Sequence, residues 1–231
     1  FLLFDFLHTE HRGLDKGGNP GALTKVGLNP TALDSSQLGL DAYGRVFHRV
    51  LFYELALVQG AQGPDGLTDL DSNKDLFGQL QIHFHDENFF GVFGYVGNTQ
   101  ITNEARSVKV RFTDPLWIAG GSLAVNVGPV GFFGYGLYGN HGNPHGDGDA
   151  ISYSAMRTDV TASITPTLLG RLRYDGVFSA VDPEIERQLM GAHMTYLLLT
   201  NLKASAELTA DLVSFERSTI FVPSAISGGI P

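Results

Sequence analysis

The run "LFGQLQIHFH", residues 76 to 85, alternates without a break. Leu76, Gly78, Leu80, Ile82 and Phe84 take one side, and Phe77, Gln79, Gln81, His83 and His85 take the other. A two-residue repeat is the side-chain period of a β-strand and does not fit the 3.6-residue repeat of a helix. Wherever the pattern recurs, the chain is held to strands with two unlike faces. In "QLGLDAYGRVF" Leu38, Leu40, Ala42, Gly44 and Val46 oppose Asp41, Tyr43 and Arg45. In "LKASAELTADL" Leu202, Ala204, Ala206, Leu208, Ala210 and Leu212 oppose Lys203, Ser205, Glu207, Thr209 and Asp211. "SVKVRFT" sets Val108, Val110 and Phe112 against Lys109 and Arg111, and "LLGRLRYD" sets Leu168, Gly170, Leu172 and Tyr174 against Arg171, Arg173 and Asp175. Strands of about ten residues are long enough to cross a bilayer core at a strong tilt.

The connections alternate too. Short ones fall near 48–49, 86–88, 127–129, 165–166 and 200–201. Longer polar ones, rich in Gly, Pro and Asp, fall near 9–36, 60–74, 98–106, 139–150, 176–187 and 213–217. The rhythm holds if 107–126 is one strand kinked at Asp114–Pro115. It predicts an up-and-down antiparallel barrel of about twelve strands, with short turns at one end and long loops at the other. The stretch Leu116 to Leu137 has no charge and the length of a membrane helix. Its six glycines and the central "NVGPVG" turn signal make it two strands instead. "FLLFDFLHTE" resembles an internal stretch, so Phe1 is expected to be the start of a processed or observed chain and not of the gene product.

Charged residues are only 17% of the 231, below the roughly 25% of a soluble domain, and hydrophobic ones are 43%. With no cysteine there are no disulfides, thiolate metal sites, attached c-type haem or Cys nucleophile. A net charge of −9 without a basic block argues against a nucleic-acid partner. A soluble β-protein would alternate as well, with its apolar face inward, and volume alone does not forbid that. Two features favour apolar residues outward, toward lipid. The apolar face is rich in Ala and Gly (42, 44, 78, 170, 204, 206, 210), a poor core filling. Strand ends carry aromatics, namely Phe47, Phe52, Tyr53, Phe84, Phe89, Phe90, Trp117, Phe132, Phe133, Tyr135, Tyr138, Tyr153 and Tyr174, as membrane girdles do.

"QLGLDAYGRVFHRVLFYELALVQGAQG…DSNKDLFGQLQIHF" resembles the middle of uncharacterised porin-like outer-membrane β-barrel proteins. In those, a "GLELYG" strand, a "YALGVVNG" strand, an Asn/Asp/Lys-rich connection and a "DVYGRLAYK" strand follow one another. The likeness is clearest over residues 37 to 96, weaker over 151 to 212, and absent from the first thirty-six. It implies a β-barrel in a bacterial outer membrane. The chain departs from such proteins in ending "SAISGGIP", without the usual terminal aromatic.

Chemistry-bearing constellations are few. "DLDSNKD" spaces Asp69, Asp71, Asn73 and Asp75 like half of a calcium loop, but Lys74 and Leu80 replace the required Gly and Glu, so it is a solvated turn. "NHGNPHGDGD" holds His141, His145, Asp147 and Asp149 in a stretch whose Gly and Pro forbid a zinc-binding helix; it reads as an outer loop. His83 and His85 share a face and line a polar wall. No GxSxG or phosphate loop with its strand–helix context is present, so neither an enzyme nor a cofactor is expected.

On this assignment the polar wall carries Arg45, Lys109, Arg111, Arg157, Arg171, Arg173 and Lys203 against Asp41, Glu54, Asp159, Asp175, Glu207 and Asp211, with Gln79, Gln81, His83 and His85 between them. The wall is nearly neutral, which leaves the excess acid to the loops. The whole chain, 1–231, is expected to be one transmembrane β-barrel domain. Its expected partners are membrane lipid and the small hydrophilic solutes that diffuse through it, and a homo-oligomer is compatible. The runner-up is a sheath or anchor for another protein, such as a multihaem cytochrome electron conduit. A third reading is a soluble β-barrel that binds an apolar ligand.

Overall fold

The computed structural model describes residues 39–59, 73–85, 88–103, 110–182, 185–199, 202–212, 220–222 and 227–228. They form β1 (Gly39–Val46), β2 (Leu51–Val58), β3 (Asp75–His85), β4 (Asn88–Asn103), β5 (Val110–Val127), β6 (Val130–His141), β7 (Ile151–Thr165), β8 (Leu168–Phe178), β9 (Arg187–Leu199), β10 (Leu202–Asp211), β11 (Ile220–Val222) and β12 (Ser227–Gly228). From β1 to β10 each strand pairs antiparallel with the next, and the two short segments β11 and β12 both lie against β10. The protein is therefore all-β, an up-and-down antiparallel sheet. A strand in residues 1–8, needed for the expected count, lies outside the described residues. Among the described residues β1 pairs with β2 alone and is not joined to β10, so the sheet is open and barrel closure is not seen.

Turns at 47–50, 128–129 and 166–167 fall where short connections were predicted. Gly128 has φ +58° and no atom near the position of a Cβ, so backbone conformation alone calls for glycine there. Leu116–Leu137 is the end of β5, this turn and most of β6. β5 runs unbroken through Asp114–Pro115. The long connections are shorter than composition suggested, since β4 continues to Asn103 and β6 to His141. The β4–β5 hairpin outruns its neighbours: Thr99 pairs with Asp114 and Ile101 with Phe112, beyond the end of β6 at Leu116↔His141. Backbone pairing at a rim does not need an amphipathic pattern, so the polar "NTQITN" escaped the two-residue rule.

Burial follows the alternation. One face exposes Leu40, Leu55, Leu80, Ile82, Phe84, Val92, Leu123, Met156, Leu172 and Leu208. The opposite face buries Phe77, Gln79, Gln81, Tyr95, Ser122, Tyr135, Arg157, Asp159, Arg173 and Asp175, and since no second layer covers it among the described residues, the sheet curves and this face is concave. Where Arg157, Asp159, Arg173 and Asp175 are buried and leucines exposed, this polarity is the reverse of a soluble sheet's.

Candidate functional site: the concave face

Register stacks the concave side chains into rungs across the strands. One runs Gln81, Gly91, Ser122, Tyr135, Arg157, Asp175; the next toward the short turns runs His83, Phe89, Ala124, Phe133, Asp159, Arg173. A third ends in Asn126, Gly131, Thr161, Arg171 and His193. Toward the long loops the rungs turn apolar: Phe77, Tyr95 and Ile118 form one, followed by Leu116 and Ile151 flanking His141. The face thus has a loop-end half and a turn-end half of different chemistry.

The turn-end half holds two polar ladders. Along β3, His83 Nε2 donates to Gln81 Oε1 (3.0 Å), Gln81 Nε2 donates to Gln79 Oε1 (3.1 Å), and Gln79 Nε2 donates to Glu54. An amide oxygen only accepts, so this chain fixes the His83 proton on Nε2. The amides and imidazole of the 76–85 run therefore face the concave side, and its leucines and isoleucine face outward. On β7 and β8, Arg157 Nε donates to Asp159 Oδ2 at 2.9 Å, and Arg171 donates to Asp159 Oδ1 through Nη2 at 2.6 Å and Nε at 2.8 Å. Arg173 pairs with Asp175, whose Oδ1 also stands 3.8 Å from Arg157 Nε. Arg157 is 0% exposed, Asp159 and Asp175 2% each. Charges this deep persist only when paired, and the two-residue spacing brings each pair together on neighbouring rungs.

The loop-end half buries Val58, Phe77, Tyr95, Leu116, Ile118, Ile151, Tyr153 and Val177, with Ile185 from the β8–β9 connection against them. Its two carboxylates are capped. Asp75 accepts from Tyr95 Oη and from the Asn98 amide, and Asp114 accepts from His141 Nδ1 (2.7 Å) and the Asn143 amide (2.8 Å). The 142–150 loop folds over this end: a Cβ on Gly146 would stand 2.7 Å from the Phe112 ring.

Of the residues expected on the polar wall, Glu54, Gln79, Gln81, His83, Arg157, Asp159, Arg171, Arg173 and Asp175 are gathered in these ladders. Asp41 and Arg45 stand at the open edge, opposite Ala56 and Phe52. Asp211 is half-buried opposite Leu189. Glu207 and Lys203 are placed by backbone register only, opposite His193 and Leu197. His85 follows a register shift after His83, and its side chain, like all of Lys109, lies outside the described residues. Arg111 is a correction. Along β5 the even-numbered residues Phe112, Asp114 and Leu116 are the ones turned to the concave side, which leaves Arg111 exposed on the face of Trp117. Phe112 turns inward, where the 142–150 loop packs on it through Gly146. Five of the thirteen aromatics expected in the girdle point inward: Phe52, Phe89, Phe133, Tyr135 and Tyr153 share rungs with concave residues, while Tyr53, Phe84, Phe90, Trp117, Phe132 and Tyr138 face outward.

Asp69 and Asp71 of the calcium-like run are outside the described residues, and Asp75 is the buried cap described above. His141 turns to Asp114, away from the exposed His145, and the loop closes on its own Asn143 Oδ1, which accepts from Gly148 N at 2.8 Å. Among the described residues no three His, Asp or Glu side chains cluster to hold a metal. Sequence reasoning missed Ser122, Tyr135, Asp75, Asp114 and His141. The apolar runs of β4 to β6, where both faces carry aromatics, were the available signal for a packed interior. No family model, curated protein or solved structure matches the chain.

Proposed function

We propose that the chain is a transmembrane β-protein of porin type in a bacterial outer membrane, passing small hydrophilic solutes along its concave face. The observation that carries this is the reversed polarity: charges buried, leucines exposed. On β3 the apolar face from Leu76 to Phe84 extends roughly 26 Å along the strand at about 3.3 Å per residue, against a lipid-facing band of about 25 Å. Tilted strands need more length, and β4 and β7 have 16 and 15 residues. Ten strands about 4.8 Å apart make an apolar surface on the order of 1,000 Å². Soluble monomers rarely expose patches larger than a few hundred Å². The same reversal speaks against a soluble barrel with an apolar cavity.

The middle of the concave face is packed, so the route follows its flank, where Asp41, Arg45, His193, Thr195, Ser205 and Thr209 remain partly or fully accessible. Width excludes large solutes, and the wall charges select weakly among small ones. The second reading, a sheath or anchor for another protein, draws support from the edge of β1, which has no partner strand on that side among the described residues and is a template for a further strand.

The cysteine-free chain suits thiol scanning. Leu80→Cys and Ile82→Cys should react with a lipid-soluble maleimide in membranes, and Thr195→Cys and Ser205→Cys with a water-soluble one. Rapid water-soluble labelling at 80 and 82 would overturn the bilayer reading. Liposomes carrying the protein should then swell in small sugars. No swelling, with a haem protein copurifying stoichiometrically, would favour the sheath.

A further inference from the structure

At the turn end of the concave face the geometry points to a binding site for a small anion of carboxylate or phosphate class, received by Arg171. A cavity of about 410 Å³ lies there, lined by Asn126, Thr161, Arg171, His193 and Thr195 among others, and no carboxylate is among its lining residues. Its polar wall offers a guanidinium, an imidazole, three hydroxyls and an amide, a set that suits an oxyanion.

An independent observation lies one step deeper. Arg157 is completely buried, and its Nη1 and Nη2 have no hydrogen-bond partner. Three guanidiniums bring about fifteen N–H donors to the ladder, whereas Asp159 and Asp175 offer roughly eight acceptor positions. Asp159 is shared: Oδ2 accepts from Arg157, and Oδ1 accepts twice from Arg171. An anion in the cavity would take over the Arg171 edge and leave Asp159 Oδ1 for the idle nitrogens of Arg157. It would also offset the one-charge excess of three arginines over two aspartates. The carboxylates it must compete with are Asp159, behind Arg171, and Glu207, in register with His193 on β10. The ligand is a free solute, not a lipid headgroup, because Arg171, His193 and Thr195 stand on the concave side, opposite the apolar face. The site depends on the concave geometry and not on the bilayer reading, so each can fail without the other.

The test is thermal unfolding of the full chain in detergent at constant ionic strength, with acetate or inorganic phosphate replacing a bulky anion. Binding to the folded state raises Tm along a saturating curve, whereas salt exclusion gives a linear rise. Saturation is expected for the wild type and for Arg45→Gln at the open edge, and its loss for Arg171→Gln. A saturating rise retained in Arg171→Gln, or a purely linear one in the wild type, would overturn the site. Arg171→Gln leaves two arginines facing two aspartates. Should it still fail to refold, Asn126→Leu with Thr161→Val changes the lining outside the ladder. That pair should move the midpoint at least tenfold toward higher anion concentration, and an unmoved midpoint would count against the proposal.

Discussion

The loop-end and turn-end halves of the concave face fill the same curved sheet with opposite materials. The loop end uses Phe77, Tyr95, Ile118 and Tyr153, with its two carboxylates each capped by a neighbouring side chain and a backbone amide. The turn end uses amides and six charges whose partners sit on the same or the adjacent strand. Apolar filling is non-directional, so losing one group leaves a hole and nothing worse. A buried ladder is directional, so losing one carboxylate strands the charges it held. The two ends should therefore differ less in how much one substitution costs than in whether a second can repair it.

Asp159→Leu tests the ladder and has the largest expected effect. It strands the buried Arg157 and removes the carboxylate of Arg171, which should cost about 3–5 kcal/mol. Denaturant unfolding in micelles measures it, and adding Arg157→Met should recover part of the loss. A cost below about 1 kcal/mol would mean that water reaches the ladder. At the other end, Phe77→Ala should cost about 3–5 kcal/mol as a cavity, with no polar second change to restore it. On the porin reading it should also widen the flank, because Phe77 shares a rung with Ala56 and Asp41. Single-channel conductance should then rise in Phe77→Ala and stay at the wild-type level in Leu80→Ala, which alters only the outer face. Equal conductance in both would move the constriction away from the loop end.

The turn-end half was legible in the sequence because amphipathic alternation is strictest there: Gln79, Gln81 and His83 on β3, Arg171, Arg173 and Asp175 on β8. Two-residue periodicity fixes which side chains share a face, and register then brings Arg157 and Asp159 to the same place. The loop-end half was not legible. Phe93 and Tyr95 point inward while Phe90 and Val92 point outward, so both faces of β4 are apolar and periodicity has nothing to separate. Phe112 and Arg111 were assigned to the wrong sides because the rule assumes lipid outside, and at the rim a folded-back loop replaces it. Asp75 reads as part of a solvated turn and Asp114 as a strand kink, because their partners, Tyr95 and His141, come from the neighbouring strands β4 and β6, far away in sequence. Closure of the sheet depends on what β1 and β10 meet, which alternation does not encode.

The outer face supplies a third contrast. Leu172 is 62% exposed, on the opposite side of β8 from Arg171 and Arg173. In a bilayer, Leu172→Arg should destabilise by about 2–4 kcal/mol if it lies near the midplane and by about 0–1 near an interface. On a water-facing surface the same change is worth within about 0.5 kcal/mol. Unfolding from lipid vesicles, compared with unfolding of the same variant in a short-chain detergent, separates these cases. A loss confined to vesicles supports lipid on that face, and no loss in either would point to water there.

The smallest effect compares two turns at the end that carries the ladders. The β5–β6 turn places Gly128 at φ +58°, whereas the β1–β2 turn holds Phe47, His48 and Arg49 at φ 51°, 56° and 72°. A left-handed backbone costs a residue with a Cβ roughly 1–2 kcal/mol, and glycine escapes most of that. Gly128→Ala meets no atom within 4 Å, so its cost should be the conformational one alone, about 1 kcal/mol. His48→Gly should act in the opposite sense, easing a turn that now strains three residues, and the gain should be smaller because glycine also frees the unfolded chain. Chemical denaturation of the two single variants and their double gives the comparison. The strands between these turns put the two sites far apart, so the effects should add. If His48→Gly instead destabilises, the left-handed run at the open edge is held by contacts of its own, and β1 is then a firmer boundary of the turn-end half than its single neighbour suggests.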